Sequence, residues 1–229
     1  MSAIIIAIDG HSSTGKSTIA KALAKELNYT YVDTGAMYRA VTLYALRKSY
    51  VSSSKIDVEA IKSCLGDVKI SFSKAVLGQS FVLLNGEKVE DEIRAMDVSN
   101  LVSTVSAIEE VRTFLVKQQQ EFGKQKAVVM DGRDIGSVVF PDAELKIFMT
   151  ASEQVRAQRR FDELRAKGML VSFEEVLENN KDRDYKDSTR KVAPLIKTAD
   201  ALVLDNSKLS PEEQLQWVLN KVQALTAAE

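Results

Sequence analysis

The first eighteen residues constrain this chain more than any other stretch. Ala3-Ile4-Ile5-Ile6-Ala7-Ile8 is an unbroken apolar run, rich in β-branched isoleucine and too short for an ordinary helix, so it reads as a fully buried central strand of a parallel sheet. Gly10-His11-Ser12-Ser13-Thr14-Gly15-Lys16-Ser17 follows at once and satisfies G-x4-G-K-[ST]. Ile19, Leu23 and Leu27 then share one face of a helix. Strand, glycine-rich loop and helix together are the context in which this pattern holds phosphate. The glycines let successive backbone N–H groups turn inward, and the helix N-terminus adds positive potential. Lys16 reaches the β and γ phosphates, and Ser17 offers an oxygen to Mg²⁺. His11 lies inside the loop, where the backbone matters more than the imidazole.

Further apolar runs at Ala127 to Met130, Leu145 to Met149 and Ala201 to Leu204, with a shorter one at Tyr31-Val32, are separated by helical patterns. Strand then helix, repeated, predicts right-handed βαβ units and an α/β layer fold. Val155, Arg159, Asp162 and Arg165 run along a charged helix, and Ser172-x-x-Glu175 and Ser210-Pro211-Glu212-Glu213 are capping boxes. Leu215, Val218, Leu219, Val222 and Leu225 give the last helix an apolar stripe that packs on the body. Residues 66 to 95 break the alternation. Val68, Ile70 and Phe72 alternate with polar residues, and Phe81 to Leu84 runs into Asn85-Gly86, a hairpin signal. This predicts a small antiparallel insert, preceded by a helix from Val58 to Leu65 that Asp57 caps and Gly66 stops.

At 229 residues, with 45% hydrophobic and 28% charged, the chain fits one large domain and excludes wholesale disorder. Its 31 basic and 32 acidic residues leave a formal charge of -1, so bulk charge does not drive it to nucleic acid or anionic membrane. One cysteine, Cys64, and one histidine exclude an internal disulfide and a Cys- or His-rich metal cage. A reducing cytosol is the expected setting. The early apolar run spans six residues with no basic stretch before it, neither a signal peptide nor a membrane span.

A phosphate loop alone does not separate kinases from GTPases or motor ATPases. None of the ten glycines has Asp three positions earlier, and Asn180-Lys181 is followed by Asp182-Arg183, so the switch and base-reading motifs of a regulatory GTPase are missing. Asp33-Thr34-Gly35-Ala36-Met37-Tyr38-Arg39 follows the second candidate strand and opens a helix, at the carboxyl end of a strand where α/β sheets bind ligands. Alone, it also fits an ordinary capped helix start. Asp131-Gly132-Arg133-Asp134 follows the strand at 127 to 130, which puts Asp131 where a metal-linked carboxylate belongs. A turn with a surface ion pair is the plainer alternative. Arg156, Arg159 and Arg160 share one helix, while Arg183 and Arg190 flank Asp184 and Asp187. Such a stretch is often only a solvated face. Phosphoryl transfer between nucleotides nevertheless needs cations that hold two polyanions in line, and arginine supplies permanently charged bidentate donors.

These motifs, with Ile135-Gly136, Val139-Phe140-Pro141-Asp142-Ala143 and Arg190-x-x-Ala193-Pro194-Leu195, resemble bacterial cytidylate kinases nearly end to end, antiparallel insert included. The resemblance implies that Thr34, Arg39, Arg133 and Arg190 hold the CMP phosphate, Arg183 and Asp187 the sugar, and Ser103, Arg112 and Asp134 the cytosine. It implies that Gly10, His11, Ser12, Ser13, Thr14, Gly15, Lys16, Ser17, Thr18 and Arg160 bind ATP, that Ser17 and Asp131 hold Mg²⁺, and that Lys16, Arg133, Arg156 and Arg159 serve catalysis. Many relatives have Pro, Ser, Gly, Ala and a second Gly where this loop has His11-Ser12-Ser13-Thr14 and Ser17, and a Ser at the position of Thr34. The replacements keep hydroxyls and backbone donors.

The expectation is therefore a single P-loop kinase domain over 1–229, with a P-loop NTPase-type parallel sheet flanked by helices. Its core covers about 1–35, 127–151 and 193–229, with a nucleotide-monophosphate-binding insert at about 36–126 and an arginine-rich lid, poor in apolar anchors, at about 152–192. ATP would phosphorylate CMP or dCMP; the rivals are a kinase of similar fold acting on UMP or shikimate, and a nucleotide-binding regulatory module that transfers nothing. A cytoplasmic monomer with small-molecule nucleotides as partners, and neither nucleic acid nor membrane, completes the expectation.

Overall fold

The computed structural model describes residues 3–73 and 81–227. In chain order the elements are β1 (Ile5–Gly10), α1 (Lys16–Leu27), β2 (Thr30–Asp33), α2 (Thr34–Arg47), α3 (Val58–Ser63), β3 (Ile70–Phe72), β4 (Val82–Leu84) and β5 (Glu87–Lys88). Then come α4 (Met96–Ser106), α5 (Glu109–Gly123), β6 (Val128–Gly132), β7 (Leu145–Thr150), α6 (Glu153–Ala166), α7 (Phe173–Thr189), β8 (Leu202–Asp205) and α8 (Pro211–Thr226). The expected insert at 66 to 95 includes residues 74–80, which lie outside the described residues.

Two compact units divide the chain: residues 1–32 with 122–229, and residues 33–121. The first is built on a sheet ordered β2-β6-β1-β7-β8. β1 pairs in parallel with both β6 and β7, and β7 with β8, so β1 is central, as its unbroken apolar run predicts. Its bounds differ from the run: the Ile4 N–H goes to the Tyr29 hydroxyl at 3.1 Å, while Gly10 still pairs with Met149 at the other end. Ile6 and Ile8 from β1, Ile19 and Leu23 from α1, Ile147 and Met149 from β7 and Val218 and Val222 from α8 form one buried cluster. Each fully buried large aliphatic side chain there contributes about 1.5–3 kcal/mol. Along α8, Leu215 and Leu219 pack at the edge of the cluster, but Leu225 is exposed, so the packed stripe ends at Val222.

The second unit carries α2, α3, α4 and most of α5 beside a sheet ordered β3-β4-β5. Asn85 and Gly86 join β4 to β5 with φ of 52° and 85°, the conformation that Asn-Gly favours in a tight hairpin. Asp57 caps α3 as expected, accepting the Ala60 N–H at 3.1 Å. Gly66 does not stop that helix; it lies inside a 3₁₀ turn over Cys64–Asp67, where the Val68 N–H reaches the Leu65 carbonyl at 3.2 Å and tightens the exit.

Candidate active site

The phosphate loop leaves the carboxyl end of the central strand. Gly10 has φ of 151°, and a Cβ there would stand 2.2 Å from the Met149 carbonyl oxygen, so only glycine lets β1 and β7 close at this point. Lys16, the first residue of α1, folds back over the loop. Its amine donates to the His11 carbonyl at 2.6 Å and to Thr14 Oγ1 at 3.3 Å. Burial first, and the Arg133 guanidinium second, lower its pKa to about 7 against the opposing pull of Asp131, Asp9 and Asp187. Such an amine gains when a polyanion arrives to pair with its charge.

The β1–β6 register sets Asp131 beside Ile8. Ser17 donates to Asp131 Oδ2 at 3.0 Å and Tyr31 to Oδ1 at 2.7 Å. Ser17 and Asp131 thus set two oxygens side by side, hard donors of the kind Mg²⁺ takes in small number when phosphates and water supply the rest. Among the described residues no group of three or more His, Cys, Asp or Glu forms a metal cage, in keeping with so sparse a donor set.

Beyond β6, Arg133 spreads its guanidinium over three partners: Asp187 Oδ2 at 2.8 Å, Ser12 Oγ at 3.0 Å and the Gly132 carbonyl at 3.3 Å. Arg190 lies 3.8 Å from Asp134 and 3.6 Å from Asp187, and donates to the Ala193 carbonyl at 2.8 Å. Arg183, on the same helix as Asp187, has its pKa lowered to about 10, by burial first and then by Arg133. On α6, Arg156 is buried and donates to the Ala151 carbonyl at 3.1 Å, to the Ser12 carbonyl at 3.2 Å and to Asp184. Arg159 reaches the Thr14 carbonyl at 3.3 Å and both oxygens of Asn206. Arg160 instead pairs with Glu163 of its own helix at 2.8 Å. Gathered around the loop are therefore Arg133, Arg156 and Arg159, with Arg190 linked through Asp187.

In the second unit, Thr34 is the first residue of α2, and Arg39 on the same helix donates to Ser99 Oγ at 2.9 Å and the Ile93 carbonyl at 3.4 Å. Ser103 is buried on α4. Arg112 is buried on α5, donates to the Ser106 carbonyl at 3.0 Å and stands 5.1 Å from the centre of the Tyr38 ring.

Three residues at the site were not singled out from sequence. Asn206 follows β8 and donates from Nδ2 to the Thr14 carbonyl and to Gln214, both at 2.7 Å; its place at the carboxyl end of a parallel strand was the available signal. Asp9 is buried behind the loop and accepts two backbone N–H groups. Asp184 accepts the Ser12 N–H at 3.1 Å as well as the Arg156 guanidinium, and lies 3.5 Å from His11 Nδ1. Although burial pushes the Asp184 carboxyl upward, His11 and Arg156 outweigh it and bring the pKa from 3.8 to about 2. A carboxyl depressed in the folded state stabilises above its unfolded pKa and loses that contribution as pH falls through its folded value. Asp184→Asn is expected to destabilise the protein by roughly 2 kcal/mol at pH 7. The difference from wild type should shrink between pH 4 and pH 2, as followed by denaturant unfolding across pH; a gap independent of pH would refute it.

A glycine loop that ends a central strand, opens a helix and is flanked by buried and half-buried arginines defines a P-loop phosphotransferase of α/β architecture. A sequence model of the family described as Cytidylate kinase matches residues 6–224, and the chain belongs to that family. It is 59% identical over 222 residues to a cytidylate kinase of Parabacteroides distasonis, covering 96% of this chain and 97% of that one. A cytidylate kinase of Flavobacterium johnsoniae is 56% identical over 223 residues, with 97% of each chain covered. Among solved structures, an uncharacterized protein from Eubacterium ventriosum superposes with a TM-score of 0.53 at 12% identity, over 97% of this chain and 99% of that one, a likeness of fold.

Proposed function

We infer that this protein phosphorylates CMP and dCMP with ATP, giving ADP and CDP or dCDP. The observation that carries this conclusion is the family match across residues 6–224, joined by relatives named cytidylate kinase that cover nearly the whole chain. An oxygen of the acceptor's phosphate forms a bond to the γ phosphorus as the bond to the ADP oxygen breaks, so the protein's task is to hold two polyanions in line.

The residues divide that task. Gly10 to Thr18 cradle the donor phosphates, and Arg160 lies toward the donor nucleotide. Ser17 and Asp131 would hold Mg²⁺, which would supply positive charge to the donor phosphates. Lys16, Arg156 and Arg159 face the charge that shifts from the γ phosphate to the leaving ADP. Thr34, Arg39, Arg133 and Arg190 hold the acceptor phosphate, and Arg183 and Asp187 the sugar. Ser103 and Asp134 accept from the cytosine amine, while Arg112 donates to the ring. The lid spans about 152–192 and the acceptor-binding insert about 36–126.

Among the described residues no helix is long and apolar enough to cross a membrane, and the formal charge of -1 gives no general attraction to nucleic acid. A cytoplasmic monomer whose partners are nucleotides completes the reading.

A coupled assay of ADP release against CMP, dCMP, UMP and AMP tests the conclusion. CMP and dCMP should be the fast substrates. UMP offers a carbonyl where cytosine offers an amine, which sets two acceptors face to face, so its kcat/KM should be lower by roughly 10²-fold or more. Equal rates for UMP and CMP would overturn the substrate assignment.

A further inference from the structure

Asp9 stands one residue before the phosphate loop, yet the groups it holds belong to the far side of β6. Its Oδ1 accepts the Ile135 N–H at 2.8 Å and its Oδ2 the Gly136 N–H at 2.7 Å. Those amides open a single wide π turn over Ile135–Val139. The turn closes through the Val138 and Val139 N–H groups to the Asp134 carbonyl, at 2.9 and 3.2 Å, and through the Phe140 N–H to the Ile135 carbonyl at 2.7 Å. The Asp134 backbone is thus clamped by the same turn whose first amides Asp9 gathers.

Space around the clamp is tight. A Cβ at Gly136 would stand 3.1 Å from Lys146 Cδ and 3.4 Å from Asp9 Oδ2, so a larger residue there crowds the Lys146 side chain and just touches the carboxylate. Burial is unfavourable for this group and raises its pKa to about 6, against the two amide bonds, which pull it down. Without an acceptor at this place, two N–H groups at the head of the turn would lose their partners. The turn is wide and carries few bonds of its own, so its orientation depends on that acceptor.

We propose that Asp9 is a positioning residue for base recognition: by holding the Ile135 and Gly136 amides, its carboxylate fixes the direction in which Asp134 meets the cytosine. The proposal rests on the assignment of Asp134 to the cytosine amine. Asp9 itself touches neither nucleotide; besides the turn, its charge acts on Asp134 and on Lys16, and an effect through Lys16 would slow both substrates alike. Asparagine at this position keeps the size and one accepting oxygen, but turns an N–H donor toward one of the two amides.

The test is steady-state kinetics with CMP and UMP on wild type, Asp9→Asn, Asp134→Ala and the double variant, with melting temperature measured in parallel. Asp9→Asn is expected to lower kcat/KM for CMP by roughly tenfold and for UMP much less. The ratio between the two substrates then narrows while the KM for ATP stays near wild type. In the Asp134→Ala background, Asp9→Asn should narrow the ratio no further. A merely structural role would lower the melting temperature and slow both substrates by one factor, which would overturn the proposal. If Asp134→Ala narrows the ratio and Asp9→Asn does not, the positioning role alone is wrong. If Asp134→Ala leaves the ratio unchanged, the base-reading assignment falls and this proposal with it. Should Asp9→Asn not fold, Gly136→Ala, which presses a methyl group toward the carboxylate and Lys146, carries the same expectations and the same refutations.

Discussion

Replacing Lys16 with methionine is expected to lower kcat by roughly 10³-fold or more without loss of stability. The amine is buried against the His11 carbonyl and Thr14 Oγ1, and its pKa is lowered to about 7. A lysine depressed in this way carries an unmet burial cost at neutral and acid pH, which is relieved as pH rises from 7 toward the unfolded value of 10.5. Methionine removes that cost, so the variant should melt no lower than wild type at pH 7. Catalysis should suffer because the amine is a movable point charge inside the loop, and charge migrating from the γ phosphate to the leaving group needs a cation in a site from which water is excluded. Turnover at saturating ATP and CMP is the measurement, and a loss below tenfold would show that Lys16 does not face the transferring group.

Arg133→Lys should cost about 10²-fold in kcat/KM for CMP even though the charge is retained. The guanidinium divides its donors among Asp187, Ser12 Oγ and the Gly132 carbonyl, joining the end of β6 to α7 and to the loop in one plane. An ammonium reaches one of those partners well and leaves Asp187, buried among Arg133, Arg183 and Arg190, short of a hydrogen bond. Loss of one charge-assisted bond is about 1.5–3 kcal/mol, enough for the stated factor. Kinetics with CMP as the varied substrate check it: unchanged KM and kcat would remove Arg133 from the acceptor phosphate.

What could be read from the residues alone follows from how local each cause is. β1, the loop and α1 are encoded by neighbours: an apolar run, a fixed glycine spacing and a helical stripe. Asn85-Gly86 likewise specifies its hairpin through two backbone angles. The misjudged details are those decided from a distance. Gly66 resembles a helix stop until the chain beyond it bends into a 3₁₀ turn. For Arg156 and Arg159 a solvated face is only the plainer alternative, and local sequence says nothing of where their guanidinium groups sit. In the fold these arginines are themselves anchors, seated on the carbonyls of Ser12 and Thr14. The parts played by Asp9, Asp184 and Asn206 are not legible locally because each meets partners more than a hundred residues away, and no local spacing announces such a meeting. Asp184 lies three positions from Asp187, yet only tertiary packing shows that it, and not Asp187, accepts the Ser12 N–H.

The clasp between Asn206 and the Thr14 carbonyl spans 192 residues, which sets an order of events during synthesis. The glycine loop is made before β7, α6 and α7, whereas Asn206, which joins it from beyond β8, is made after them. A chain halted before β8 would carry the whole phosphate-loop sequence yet hold the Thr14 carbonyl through Arg159 alone. Full seating of the loop thus waits for the residue that follows β8.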